Sequence, residues 1–297
     1  MPTIFGHQAS AYEKLLRTGR ACFAMAKHGL PIRPRCNSLI VGPTGTGKSF
    51  LARALASALK VPILPINLGE WVLIGCSQRG ARNTWPLIFD FLVRHSNKPG
   101  TVIFIDELDK LSGHTAWEVF LRNELFQLLD LLIPVGIMKD DDDDEPDEEK
   151  IKKAQMTLAT KTLIVGAGAF QDLWDESVRP SLGFGERSLS VEPTGLTQIS
   201  KTLPAELTNR FRSDLIVLPN LAEADYVRML SEMAAKIPLE LRPTFLKMGT
   251  ARIPEAVKCR QGCRFLEELI VDVVVEKWGA EPTPPDNTNS VNPADLS

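Results

Sequence analysis

Three short apolar runs, Ser38 to Val41, Thr101 to Ile105 and Lys161 to Gly166, are bounded by Gly, Pro or charged residues. Apolar runs of that length without alternation suit strands buried on both faces, as in a parallel sheet. Val61 to Ile66 and Asp214 to Leu218 read as further, weaker strands. Between the strands the apolar period becomes helical, as at Leu51, Leu55 and Leu59 within 48–59, and again over 87–94 and 117–132. A helix over 7–28 precedes the first strand, and Pro31 and Pro34 break the chain between them. Strands alternating with helices predict an α/β fold, a parallel sheet flanked by helices with its ligand at the carboxyl ends of the strands. After Pro219 the pattern is helical only, over 222–235, around 239–258 and over 264–278. The expected organisation is a large α/β domain over 1–218, a small all-helical lid domain over 219–278, and a flexible tail over 279–297, where four prolines stand among polar residues.

Composition narrows the class. The 297 residues are 44% hydrophobic and 24% charged, ordinary for a globular protein. No apolar run approaches the roughly 20 residues of a membrane span, and Met1 to Ser10 lacks the pattern of a secretory signal. No membrane partner is therefore expected, and the expected compartment is the cytoplasm. Five cysteines with no C-x-x-C pair and four scattered histidines speak against a disulfide framework or a zinc site. The net charge of −3 hides an asymmetry, because 139–153 holds nine acids against four lysines. Charge of that density predicts a solvated loop. Arg17, Arg20, Lys27, Arg33 and Arg35 make the first segment locally basic, short of a nucleic-acid footprint.

The candidate chemistry begins directly after the first strand. Gly42-Pro43-Thr44-Gly45-Thr46-Gly47-Lys48-Ser49 matches the G-x-x-x-x-G-K-[ST] phosphate loop. Its glycines let backbone N–H groups turn inward toward phosphate oxygens, and the helix opening at Lys48 adds a positive dipole end. Lys48 should reach the β- and γ-phosphates and Ser49 should hold Mg2+. Farther along, the apolar strand Val102 to Ile105 ends in Asp106-Glu107. Asp106 would orient Mg2+ or its water, and Glu107 would act as general base on the attacking water.

These residues carry a resemblance. Ile105-Asp106-Glu107-Leu108-Asp109-Lys110, with the phosphate loop before it, resembles the AAA+ ATPases, and specifically the ClpX and HslU group of protein unfoldases. Ile4-Phe5-Gly6-His7-Gln8 resembles the adenine-contacting box of that group, and Leu163 to Phe170 its sensor-1 strand. Pro204 to Phe211 resembles the arginine-finger segment, and Gly262-Cys263-Arg264 the sensor-2 motif. The resemblance spans residues 4 to 278 and implies a P-loop ATPase that uses ATP and Mg2+. Ile4, Phe5, the loop 42–49 and Phe50 would surround the nucleotide. Arg210, with Arg212 as rival, would reach the γ-phosphate held by a neighbouring subunit, and Arg264 would come from the small domain of the same subunit. A finger given in trans implies a homo-oligomer, a hexameric ring that remodels a protein client.

Departures from that group are equally specific. No cysteine pair for an amino-terminal zinc domain precedes the adenine box. Trp71-Val72-Leu73-Ile74-Gly75 stands where the group carries a Tyr-Val-Gly pore loop, and either grips a polypeptide or packs Trp71 into the core. The acidic run takes the place of a basic loop; it would favour basic segments and repel phosphates, or be an inert insertion. Leu182-Gly183-Phe184 stands where the group carries the tripeptide that docks into the ClpP peptidase, which implies such a partner unless the residues serve a local turn. Two other classes stay open. One is an AAA+ nucleic-acid motor or loader in a mobile-element or defence system, to which the basic first segment points. The other is a nucleotide-switched scaffold that hydrolyses slowly.

Overall fold

Five strands form one parallel sheet in a computed structural model that describes residues 3–28, 36–74, 83–113, 115–134, 148–171, 174, 199 and 202–279. The strands are β1 (Ser38–Val41), β2 (Ile63–Asn67), β3 (Thr101–Asp106), β4 (Thr162–Gly168) and β5 (Ile216–Val217), in the order β2-β3-β4-β1-β5. Every described neighbour pair is parallel, with Leu39 beside Gly166, Phe104 beside Val165 and Asn67 beside Asp106. Parallel neighbours require crossovers. These are supplied by α2 (Lys48–Leu59), α3 (Thr84–Arg94), α4 (Ala116–Leu129) and α5 (Glu148–Lys161), with the short α6 (Ala205–Thr208) before β5 and α1 (Ala9–His28) before β1.

Apolar side chains alternate across the sheet with the period of two that strands impose. Leu39, Val41, Ile103, Ile105 and Ile164 join one buried cluster with residues of α3, α4 and α5, whereas Ile40, Val102, Phe104, Leu163 and Val165 join the other with α1 and α2. β1 and β4 are buried along their whole length, and β2 is an edge strand whose Pro65 is exposed, a position that tolerates a missing N–H. Gly166 in β4 has a packing reason: a β-carbon there would collide with Leu108 and press on Phe211.

One sequence expectation needs correcting. The acidic run is not loop to its end, because Glu148 opens α5. Glu148 and Glu149 occupy the first turn, where the helix dipole favours negative charge. Glu149 pairs with Lys153 at 2.7 Å, and Ala154, Thr157 and Leu158 bury the opposite face. Residues 135–147 lie outside the described residues.

The chain divides into two compact units, 1–221 and 222–297. Within the second, α7 (Glu223–Ala234), α8 (Arg242–Lys258) and α9 (Arg264–Trp278) share a core of Leu230, Phe245, Ile253, Phe265 and Leu269. Tyr226 ties the ends together, its hydroxyl donating to Ala256 O at 3.2 Å and accepting from Gly262 N at 2.9 Å.

Candidate functional site

Beyond Val41 the backbone turns through Gly45 (φ 83°) and Gly47 (φ 93°), a left-handed region that side chains disfavour, and α2 begins at once at Lys48. Thr46, itself buried, closes the loop internally by donating Oγ1 to Pro43 O at 2.8 Å. Lys48 Nζ lies along the same loop, donating to Gly42 O at 2.7 Å and Pro43 O at 3.0 Å. These are neutral acceptors, which the charged oxygens of a phosphate would outcompete. Pro43, Thr44, Gly45 and the partly exposed Phe50 complete the predicted cradle.

Ser49 Oγ donates to Asp106 Oδ2 at 2.5 Å, so the first turn of α2 meets the end of β3 across the intervening β4. Asp106 Oδ1 accepts from Glu107 N at 2.9 Å, which aims the carboxylate at the phosphate loop. A hydroxyl and a carboxylate held that closely match the oxygen donors Mg2+ prefers, and phosphates and water would supply the rest of its shell. Among the described residues no group of three or more His, Cys, Asp or Glu side chains could hold a metal alone.

Glu107 departs from the strand at φ 65°, a conformation a glutamate adopts only when its surroundings enforce it. Two contacts from Lys110 do so. Lys110 N donates to Glu107 O at 3.0 Å, and Lys110 Nζ pairs with Glu107 Oε2 at 2.5 Å. That hydrogen bond, with Asp109 and Asp106 nearby, holds the Lys110 ammonium above its ordinary range. Asp109 reaches the other way, accepting from Ala169 N at 3.1 Å, so the turn after β3 is fastened to the end of β4.

Of the adenine-box residues, Phe5 is buried and Ile4 partly so, with the Phe5 and His7 rings stacked at 6.1 Å. Gln8 is 1% exposed and donates to Thr46 O at 3.0 Å, joining this box to the phosphate loop.

Arg210 is engaged within its own chain. It makes a two-point pair with Asp130 at the end of α4 (Nε to Oδ1 2.9 Å, Nη2 to Oδ2 2.7 Å), donates Nη1 to Glu206 O at 2.6 Å, and lies 4.3 Å over the Phe126 ring. Arg212 is exposed, and its backbone N–H donates to Asn37 O at 2.9 Å. Arg264 is exposed in the first turn of α9, in the second unit.

The 71–74 segment is largely core. Trp71 and Leu73 are 3% and 5% exposed, and Trp71 meets Trp85 edge-on at 6.5 Å. Glu124 of α4 accepts from Trp71 Nε1 at 2.8 Å and from Ile74 N at 2.7 Å. Trp71 and Leu73 therefore present no side chain to a polypeptide, and only Val72 and Ile74 are partly exposed. Gly75, Leu182, Gly183 and Phe184 lie outside the described residues.

Asp109 and Lys110 lie inside the Ile105 to Lys110 run and Gln8 inside the adenine box, yet only their contacts reveal their work. Glu124 sits on α4 and Asp130 directly after it, neither with a local signal, and both act on residues far away in the chain.

Residues 38–180 match the family model described as "ATPase family associated with various cellular activities (AAA)". The chain is 38% identical over 73 residues to the ATP-dependent zinc metalloprotease FtsH 1 of Methylacidiphilum infernorum, a match covering 25% of this chain and 11% of that one. It is 38% identical over 110 residues to the FtsH of Methylibium petroleiphilum (34% and 17%), and 35% identical over 85 residues to the peroxisomal ATPase pex6 of Schizosaccharomyces pombe (28% and 8%). The chain thus spans less than a fifth of the length of these curated relatives. Among the described residues no helix is long and apolar enough to cross a membrane.

Proposed function

We propose that the AAA ATPase domain matched over residues 38–180 hydrolyses Mg2+-bound ATP, and that a homo-oligomer of the chain uses this turnover to remodel a protein client. The observation that carries the ATPase reading is the Ser49 to Asp106 contact of 2.5 Å, which unites two motifs 57 residues apart at one point beside the phosphate loop. The phosphate loop and Lys48 bind and orient the triphosphate. Mg2+ held by Ser49 and Asp106 would neutralise charge on the phosphates. Glu107 accepts the proton of the attacking water, from the position in which the Asp106 hydrogen bond and Lys110 hold its backbone and side chain.

The remodelling part rests on likeness. The order of the adenine box, phosphate loop, acidic pair, arginine segment and Gly262-Cys263-Arg264 supports the unfoldase group, and the relatives' names denote an ATP-dependent protease and an ATPase. A hexameric ring would place the 210–212 segment at a neighbour's γ-phosphate. Arg210 would first have to leave Asp130, whereas Arg212 is already exposed. A ClpP-like peptidase docking at Leu182 to Phe184 belongs to the same reading.

Two variants test it. Glu107→Gln should lower ATP turnover by about 10² to 10⁴-fold while ATP stays bound, and Lys48→Ala should lose binding and turnover together. Turnover at the parental rate in Glu107→Gln would refute the assignment of the base. Capture with ATP-loaded Glu107→Gln should retain specific proteins; nucleic acid retained in their place would overturn the client class.

A further inference from the structure

The geometry points to Gln8 as a positioning residue for the phosphate loop, one that fixes the peptide joining Thr46 to Gly47; this rests on the loop binding a triphosphate, as proposed above. Gln8 is buried to 1% exposure, and both ends of its amide are used. Oε1 accepts from Phe5 N at 3.2 Å, and Nε2 donates to Thr46 O at 3.0 Å. His7 Nε2 lies 3.4 Å from the same carbonyl. Two side chains of the base-side segment thus converge on one oxygen of the loop.

The consequence follows from the planarity of the peptide. In a trans peptide the carbonyl and the next N–H point to opposite sides. Anchoring Thr46 O toward Gln8 therefore turns the Gly47 N–H away from Gln8. Gly47 holds φ 93°, where a glycine has more than one backbone arrangement within reach and nothing in its own side chain to choose between them. The Gln8 amide makes that choice in advance, so the loop need not order itself around the ligand. A second consequence is coupling. The same amide accepts from Phe5 N, so a ligand that orders Ile4 and Phe5 also stiffens the loop through a single side chain.

The test uses a ligand that has phosphates and no base. Affinities of the full chain for Mg2+-ATP and for Mg2+-tripolyphosphate are measured by calorimetry, beside Gln8→Met, which keeps the length without the hydrogen bonds, and Gln8→Glu. The glutamate keeps the acceptor for Phe5 N and loses the donor to Thr46 O. Both variants should weaken tripolyphosphate by about tenfold, the scale of removing one hydrogen-bond donor from a buried carbonyl, and ATP by a similar factor. In steady state KM should rise by more than kcat falls. Tripolyphosphate affinity unchanged while ATP weakens would show that Gln8 serves the base alone, and would overturn the inference. Thermal unfolding monitors folding, and Gln8→Glu carries the test if the methionine variant does not fold. A Lys48→Ala chain that binds tripolyphosphate as tightly as the parent would refute the phosphate-loop reading itself, a separate outcome.

Discussion

The segment after β1 and the segment after β2 leave the same, carboxyl-terminal end of the parallel sheet, yet they are built by opposite rules. After Val41 the chain offers backbone: Gly45 and Gly47 in left-handed conformations, with Lys48 and Ser49 opening a helix at once. After Asn67 it offers side chains to its own interior, with Leu68, Trp71 and Leu73 buried and Glu124 of α4 holding Trp71 and the Ile74 N–H. The first segment is made for a ligand that arrives from outside, whereas the second is made to hold the domain together. A likeness that placed a polypeptide-gripping loop at 71–75 met a tryptophan whose indole N–H is already committed.

The largest expected effect tests that contrast where it is sharpest. Trp71→Ala removes a buried indole that packs on Trp85, and should destabilise the first unit by about 3 to 5 kcal/mol, read as a shift of the urea midpoint. A loss near zero would mean that Trp71 faces solvent after all and is available to a client. Val72 and Ile74 are then the residues of this stretch to test for client contact, since they are partly exposed.

What was legible in the chain divides along the same line. β1, β3 and β4 are read from apolar runs because burial on both faces removes any need for alternation, and the phosphate loop is read because backbone chemistry depends on glycine spacing. The fate of Trp71 depends on Trp85 and Glu124, fourteen and fifty-three residues away, and no local pattern encodes either contact. The start of α5 was masked by acids that a helix accepts in its first turn. Gln8 gave no signal beyond its place in a box, since its role lies in a carbonyl thirty-eight residues on. Arg210 is legible as part of a motif, but the Asp130 pair that holds it is a tertiary fact that no motif carries.

A smaller effect should appear on the loop side. Gly47→Ala places a β-carbon at φ 93°, which costs about 1 to 2 kcal/mol in left-handed backbone. The fold should survive with a modest fall in midpoint, while affinity for ATP drops by more than stability does if, as proposed, the Gly47 N–H faces a phosphate. Stability and affinity falling in step would mean that the loop, like 71–74, is first of all a structural element, and the comparison would fail.

The smallest effect is a slope. Burial holds the Glu124 carboxyl above its ordinary range, with the hydrogen bonds from Trp71 and Ile74 pulling it partly back. A carboxyl raised in the folded state binds its proton more tightly there than in the unfolded chain. Its contribution to stability is therefore fully present below the unfolded value, and is lost as pH rises through the folded one. The midpoint difference between the native chain and Glu124→Gln should move against the native chain across that window, by less than about 1 kcal/mol because the group is only partly buried. A difference that instead grows in favour of the native chain with rising pH would mean that the two N–H donors, and not burial, set the charge at the base of the 71–74 segment.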